Sequence, residues 1–266
     1  MAIYDPDEYE LQEYSGIDIF VPGTVIESDI DGGGMFRVLI YTGLAFGATI
    51  LLGILIAIPL VMSGLIRLVG PYIIFEPYAF LIFTISEIGF IIPPIWYVRT
   101  RGYNLSSLGM KRLKSLRDIG IGLGLGMFML VANLVVSALI AYLFQIPESE
   151  VALIPFASSP FEVVLWVIVM FVIVGFSEEL LFRGFLQRRM ELYFRARQNR
   201  PGLIALLITS FIFAAIHLDV IGLPTRFVLG LFLGYLAQKR NYAIIGPTVA
   251  HGFNNAAVVV LLFLGF

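Results

Sequence analysis

The stretch Ser177-Glu178-Glu179-Leu180-Leu181-Phe182-Arg183-Gly184 closes an apolar run that begins at Phe161 and reads as a membrane helix. Two carboxylates and a guanidinium are costly there, at roughly 2.5–3.5 kcal/mol for each charge at mid-bilayer. A membrane protein keeps such groups where they have a use. If the helix continues, Glu179 and Arg183 lie four residues apart on one face, acid before base, the favourable order for a pair. Glu178 is turned about 100° away from that pair. One carboxylate is held and its neighbour is left available for acid–base work.

Composition sets the fold class around this stretch. The 266 residues are 59% hydrophobic and 14% charged, against about 25% charged in a soluble domain, and mean hydropathy is +0.93. The expected fold is all-α, a polytopic transmembrane bundle of about seven or eight spans. Cysteine is absent, which excludes disulfides, thiolate catalysis, Cys-ligated zinc and a prenylation box on the chain itself. The acidic start offers no basic region of a cleavable signal peptide.

The chain divides into three parts. Residues 1–36 carry Asp5, Asp7, Glu8, Glu10, Glu13, Asp18, Glu27, Asp29 and Asp31 without a Lys or Arg before residue 37, then Gly32-Gly33-Gly34. This part reads as an acidic, flexible cytoplasmic arm. Residues 37–150 hold the N-terminal transmembrane helices, and residues 151–266 a second transmembrane domain with the ionisable residues. The expected spans are Arg37 to Arg67; Leu68 to Val98, interrupted by Pro71, Glu76, Pro77, Glu87 and Pro93-Pro94; Ile119 to Ile146; Phe161 into the Glu pair; Leu203 to His217; Phe227 to Ala237; and Tyr242 to Phe266, bent at Gly246-Pro247. Gly120, Gly122, Gly124 and Gly126 permit close packing at the start of the third. Val151 to Pro160 is a candidate eighth, re-entrant segment. Of 17 Lys and Arg residues, only Arg67 and Arg226 fall outside and Arg183 within the membrane if the N-terminus is cytoplasmic. Arg188, Arg189, Arg195, Arg197 and Arg200 read as a basic loop after the fourth span, and the positive-inside rule supports that orientation.

Two further clusters interrupt apolar helices. Phe213-Ala-Ala-Ile-His217 ends the fifth span, and His251-Gly-Phe-Asn-Asn255 places His251 and Asn255 on one face of the seventh. At about 1.5 Å per residue, Glu178, His251 and His217 lie about 16, 17 and 21 Å below the basic edge. Both histidines of the chain thus share a depth with Glu178. Each residue alone reads equally well as helix–helix glue; together they read as a site. They are expected to line one water-filled cavity open towards the cytoplasm. A carboxylate and an imidazole sharing a water deprotonate it for attack on a carbonyl. A second His and an Asn amide donate to the resulting oxyanion.

Glu178-Glu179-xxx-Arg183, Phe213-xxx-His217 and His251-xxx-Asn255 resemble, in order, the three motifs of the CAAX protease and bacteriocin-processing (CPBP, or Abi) family. Its eukaryotic member, the Ras-converting enzyme, trims three residues from prenylated CAAX proteins. The resemblance covers about Phe161 to Leu264 and implies an intramembrane endopeptidase. It makes Glu178 the general base on water assisted by His217, with His251 and Asn255 as the oxyanion site and Glu179 with Arg183 as support. It implies membrane lipid and a peptide or prenylated protein as partners, with no nucleic acid; the short loops and the lack of a targeting signal agree with a prokaryotic cell membrane as the expected location. No cofactor is favoured. Zinc would fall to Glu178, His217 and His251, but no HExxH helix argues for it. The rival readings are a non-catalytic scaffold or chaperone of the same family, and a transporter relaying protons through Glu76, Glu87 and Glu178. The transporter would show repeats or paired broken helices, and the sequence has none.

Overall fold

A computed structural model describes residues 30–69, 72–110, 115–145, 157–195 and 197–265. Most of the acidic arm, the basic residues Lys111, Arg112 and Lys114, and most of the re-entrant candidate lie outside these ranges. The described residues form seven helices: α1 (Met35–Met62), α2 (Tyr78–Thr100), α3 (Leu116–Phe144), α4 (Pro160–Arg195), α5 (Pro201–Ala215), α6 (Leu223–Lys239) and α7 (Ile245–Phe263). The chain is an all-α membrane-helix bundle. Among the described residues, α1 to α4 and α7 are long and apolar enough to cross a bilayer, α5 is apolar but shorter, and α6 has 17 residues. Length and composition thus support five crossings, fewer than the seven expected.

Local chemistry explains the helix starts. Ser159 accepts a hydrogen bond from the Glu162 amide, Glu162 accepts one from the Ser158 amide, and Pro160 opens α4. This is a reciprocal cap with proline in its first turn. Ser115 caps α3 in the same way through the Asp118 amide. Pro247 falls in the first turn of α7, where its missing N–H breaks nothing, so it starts that helix where the sequence suggested a bend.

Two expectations are corrected. Residues 66–75 are not the start of the second span: β1 (Ile66–Val69) pairs antiparallel with β2 (Tyr72–Phe75), Arg67 facing Ile74. The β-branched run favours this pairing, and Arg67 also binds Glu76 at 2.7 Å. The basic residues after the Glu pair are not all loop, because α4 continues to Arg195. Arg188 donates to the Ser106 carbonyl and Arg189 to the Ser107 carbonyl. Both are buried, holding the short 3₁₀ turn Leu105–Leu108 against α4.

The bundle forms around α4. Gly122 and Gly126 of α3 let α7 approach so closely that a Cβ would meet Val249 and Phe253. The buried Asp118–Arg240 pair, 2.6 Å, ties the start of α3 to the end of α6. Towards the basic end, Phe46, Phe90, Tyr97, Phe182, Phe185 and Phe213 meet mostly edge to face within one core.

Candidate active site

The Glu pair sits halfway along α4, in the helical turn Phe176–Glu179. Wider π-helical turns lie on both sides, Met170–Gly175 and Leu180–Gln187. Such turns rotate side chains relative to a regular helix and recur at functional sites.

Glu179 is wholly buried, and its Oε1 accepts from Arg183 at 2.8 Å. The same oxygen lies 2.9 Å from His251 Nδ1. A carboxylate only accepts, so Nδ1 carries the proton and Nε2 is turned towards the other carboxylate. Nε2 is 3.8 Å from Glu178 Oε2. Glu178 Oε2 is buried and takes no hydrogen bond among the described residues. Glu179 is thus held by two partners, while Glu178 Oε2 has no hydrogen bond among the described residues.

His217 lies just past α5 and is bound through Nδ1 to the Phe213 carbonyl, 2.8 Å. A carbonyl cannot donate, so Nδ1 holds the proton here too and Nε2 is the basic nitrogen. Phe213 joins the parts. Its ring lies 5.3 Å from His217 and 5.7 Å from His251, with the Arg183 guanidinium 4.5 Å above it. Arg183 also donates to the Gly230 carbonyl on α6. Asn255 accepts at Oδ1 from the Asn254 amide, 3.1 Å, which leaves its own NH₂ to donate.

A cavity of about 450 Å³ meets this cluster, lined by Glu178 and His217 with Thr49 to Ala57 of α1 and Phe80 to Phe90 of α2. Two expectations change. His251 and Asn255 are not among its lining residues; His251 reaches it only by way of Glu178. The cavity also extends from Glu178 towards the β1–β2 hairpin, because the aromatic core fills the basic side. Glu87 lines the cavity as well; the sequence singled it out only within the transporter reading. Among the described residues no group of three or more His, Asp or Glu is arranged to hold a metal ion.

Residues 160–257, which contain all three motifs, match the family described as type II CAAX prenyl endopeptidase, Rce1-like. This segment is similar to the CAAX protease family. No curated protein and no solved structure matches the chain. The family is one of membrane proteases, and the five long apolar helices fit an integral membrane protein. The CAAX protease match ends short of α1 and α2, the helices that supply most of the cavity wall.

Proposed function

We propose that this protein is an intramembrane endopeptidase that hydrolyses a peptide bond with a glutamate-activated water. The observation that carries the reading is Glu178 Oε2: buried, without a hydrogen bond, 3.8 Å from His251 and facing the cavity it shares with His217. Glu178 takes a proton from water as the water oxygen bonds to the scissile carbonyl carbon. His217 Nε2 accepts from and aligns that water. His251, as an imidazolium with Nε2 protonated as well as Nδ1, and the Asn255 amide donate to the oxyanion. Glu179 and Arg183 hold His251 and the helix in register.

The substrate proposed is a CAAX-type peptide carrying a prenyl group, cleaved to release its C-terminal tripeptide. The cavity wall supports this, since Ile50, Ile54, Ala57, Phe80, Phe83 and Ile216 offer apolar surface to a lipid-modified chain. The test is release of the tripeptide from a labelled prenylated peptide by purified protein in detergent. Glu178→Gln should lower kcat by about 10²–10⁴-fold with the melting temperature unchanged. Equal turnover by wild type and Glu178→Gln would remove the assignment. Binding without cleavage by the wild type would favour the scaffold reading.

A further inference from the structure

Hydrolysis of an amide needs two proton movements. Water loses one as it attacks, and the departing nitrogen gains one as the C–N bond breaks. Glu178 serves the first. We propose that Glu87 serves the second, as a catalytic acid contributed by α2. The proposal rests on the hydrolase reading above.

Glu87 lies on the 3₁₀ turn Ile85–Phe90 within α2. It lines the same cavity as Glu178 and His217, and its turn packs against the Phe176–Glu179 turn that carries Glu178. Its Oε2 is buried and takes no hydrogen bond among the described residues. Other carboxylates there have partners: Glu179 has Arg183, Asp118 has Arg240, Glu76 has Arg67 and Asp219 has Arg226. Among the described residues Glu87 forms no ion pair. The facing helix α1 carries only Arg37 and Tyr41 as ionisable groups, and both lie nearer its other end. Gly89, two residues on, is pressed against the α1 backbone at Ala48 and Thr49, so the turn carrying Glu87 is fixed in position. A half-buried carboxyl group in an apolar wall, with one oxygen buried and without a hydrogen bond among the described residues, is expensive unless it works.

Two carboxyl groups facing one apolar cavity repel when both are charged, and one shared proton removes that repulsion. With the proton on Glu87 and Glu178 ionised, the cycle balances. Glu178 removes a proton from water while the new C–O bond forms. Glu87 gives its proton to the amide nitrogen while the C–N bond breaks, and the amine leaves. The proton on Glu178 then passes to Glu87 across the cavity, restoring the starting state.

The leaving group supplies the test. An amide nitrogen must be protonated to depart, whereas an ester oxygen departs with far less help. Prenylated peptide and its ester analogue at the scissile bond are compared in wild type, Glu87→Gln, Glu87→Asp and Glu178→Gln. Glu87→Gln should lower kcat on the peptide by about 100-fold or more, with ester hydrolysis within about tenfold of wild type and the melting temperature unchanged. Glu87→Asp, which keeps the acid, should recover part of the peptide rate. Glu178→Gln should lose both reactions. Should Glu87→Gln not fold, Glu87→Leu suits the apolar wall and should show the same split. Equal loss on both substrates, or none on either, overturns the acid role. If the wild type cleaves and only Glu87→Gln is unaffected, this inference fails alone. If the wild type cleaves neither substrate, the hydrolase reading fails and the acid role goes with it.

Discussion

Adjacent carboxylates with identical chemistry are separated in role by what each can reach. Glu179 Oε1 faces both the Arg183 guanidinium and His251 Nδ1, while Glu178 Oε2 faces only the more distant His251 Nε2. Glutamine in place of Glu179 keeps one oxygen and can still accept from His251, but it cannot balance the charge of Arg183. A buried charge left unpaired costs about 3–5 kcal/mol in soluble interiors. Glu179→Gln should therefore lower the melting temperature in detergent, and Arg183→Met in the same chain should recover part of the loss. The recovery should be incomplete, because Arg183 also donates to the Gly230 carbonyl and stacks on Phe213. Glu178→Gln should melt with the wild type. If Glu178→Gln is the unstable variant and Glu179→Gln is not, the two carboxylates have exchanged roles. This pairing was legible in the sequence because residues four apart share a helix face. The link to His251 was not, since it joins positions 72 residues apart.

Helix packing decides which of these groups meet, and the glycines of α3 show how. All four looked alike as a sequence pattern. In the fold, Gly122 and Gly126 face α7, whereas Gly120 and Gly124 have open space where a Cβ would go. The period of 3.6 residues requires this, since alternate positions point about 200° apart. Gly126 packs against Ala250 and Phe253, the neighbourhood of His251. Gly126→Val should overpack that contact at a cost of about 1–3 kcal/mol, seen as a lower melting temperature and weaker cleavage together. Gly124→Val should be neutral or slightly stabilising, as replacing a helix glycine gains up to about 1 kcal/mol. Equal behaviour of the two variants would mean α3 does not hold α7 through this face. Elements were misread where tertiary partners overrode local signals. Arg188 and Arg189 looked like a basic loop because their acceptors, the Ser106 and Ser107 carbonyls, lie 82 residues away. Glu87 stood out locally only as a charge in an apolar span, because packing of α2 on α1, not a motif, brings it to the cavity of Glu178.

At the scale of the whole molecule, the ends of the bundle differ in charge. Arg99, Arg188, Arg189, Arg195, Arg197 and Arg200 lie at one end, and the β1–β2 hairpin with its exposed Leu68 at the other. The cavity extends from Glu178 towards the hairpin end, lined by the later part of α1 and the earlier part of α2. By the positive-inside rule, we propose that the arginine end faces the cytoplasm. The cavity would then occupy the outer half of the membrane, and Ile50 and Ile54, exposed on α1, would open it sideways to lipid. A lipid-modified substrate would enter from the bilayer, with its scissile bond drawn down to the depth of Glu178. Natural cysteine is absent, so single cysteines report orientation without background. Arg197→Cys should resist an impermeant thiol reagent in intact cells and react after the membrane is opened, while Leu68→Cys should react from outside. Labelling of Arg197→Cys in intact cells, with Leu68→Cys protected, would invert the protein and turn the cavity towards the cytoplasm. Labelling of both from one side would break the connection between them through α2, α3 and α4, and with it the arrangement that carries Glu87 to Glu178.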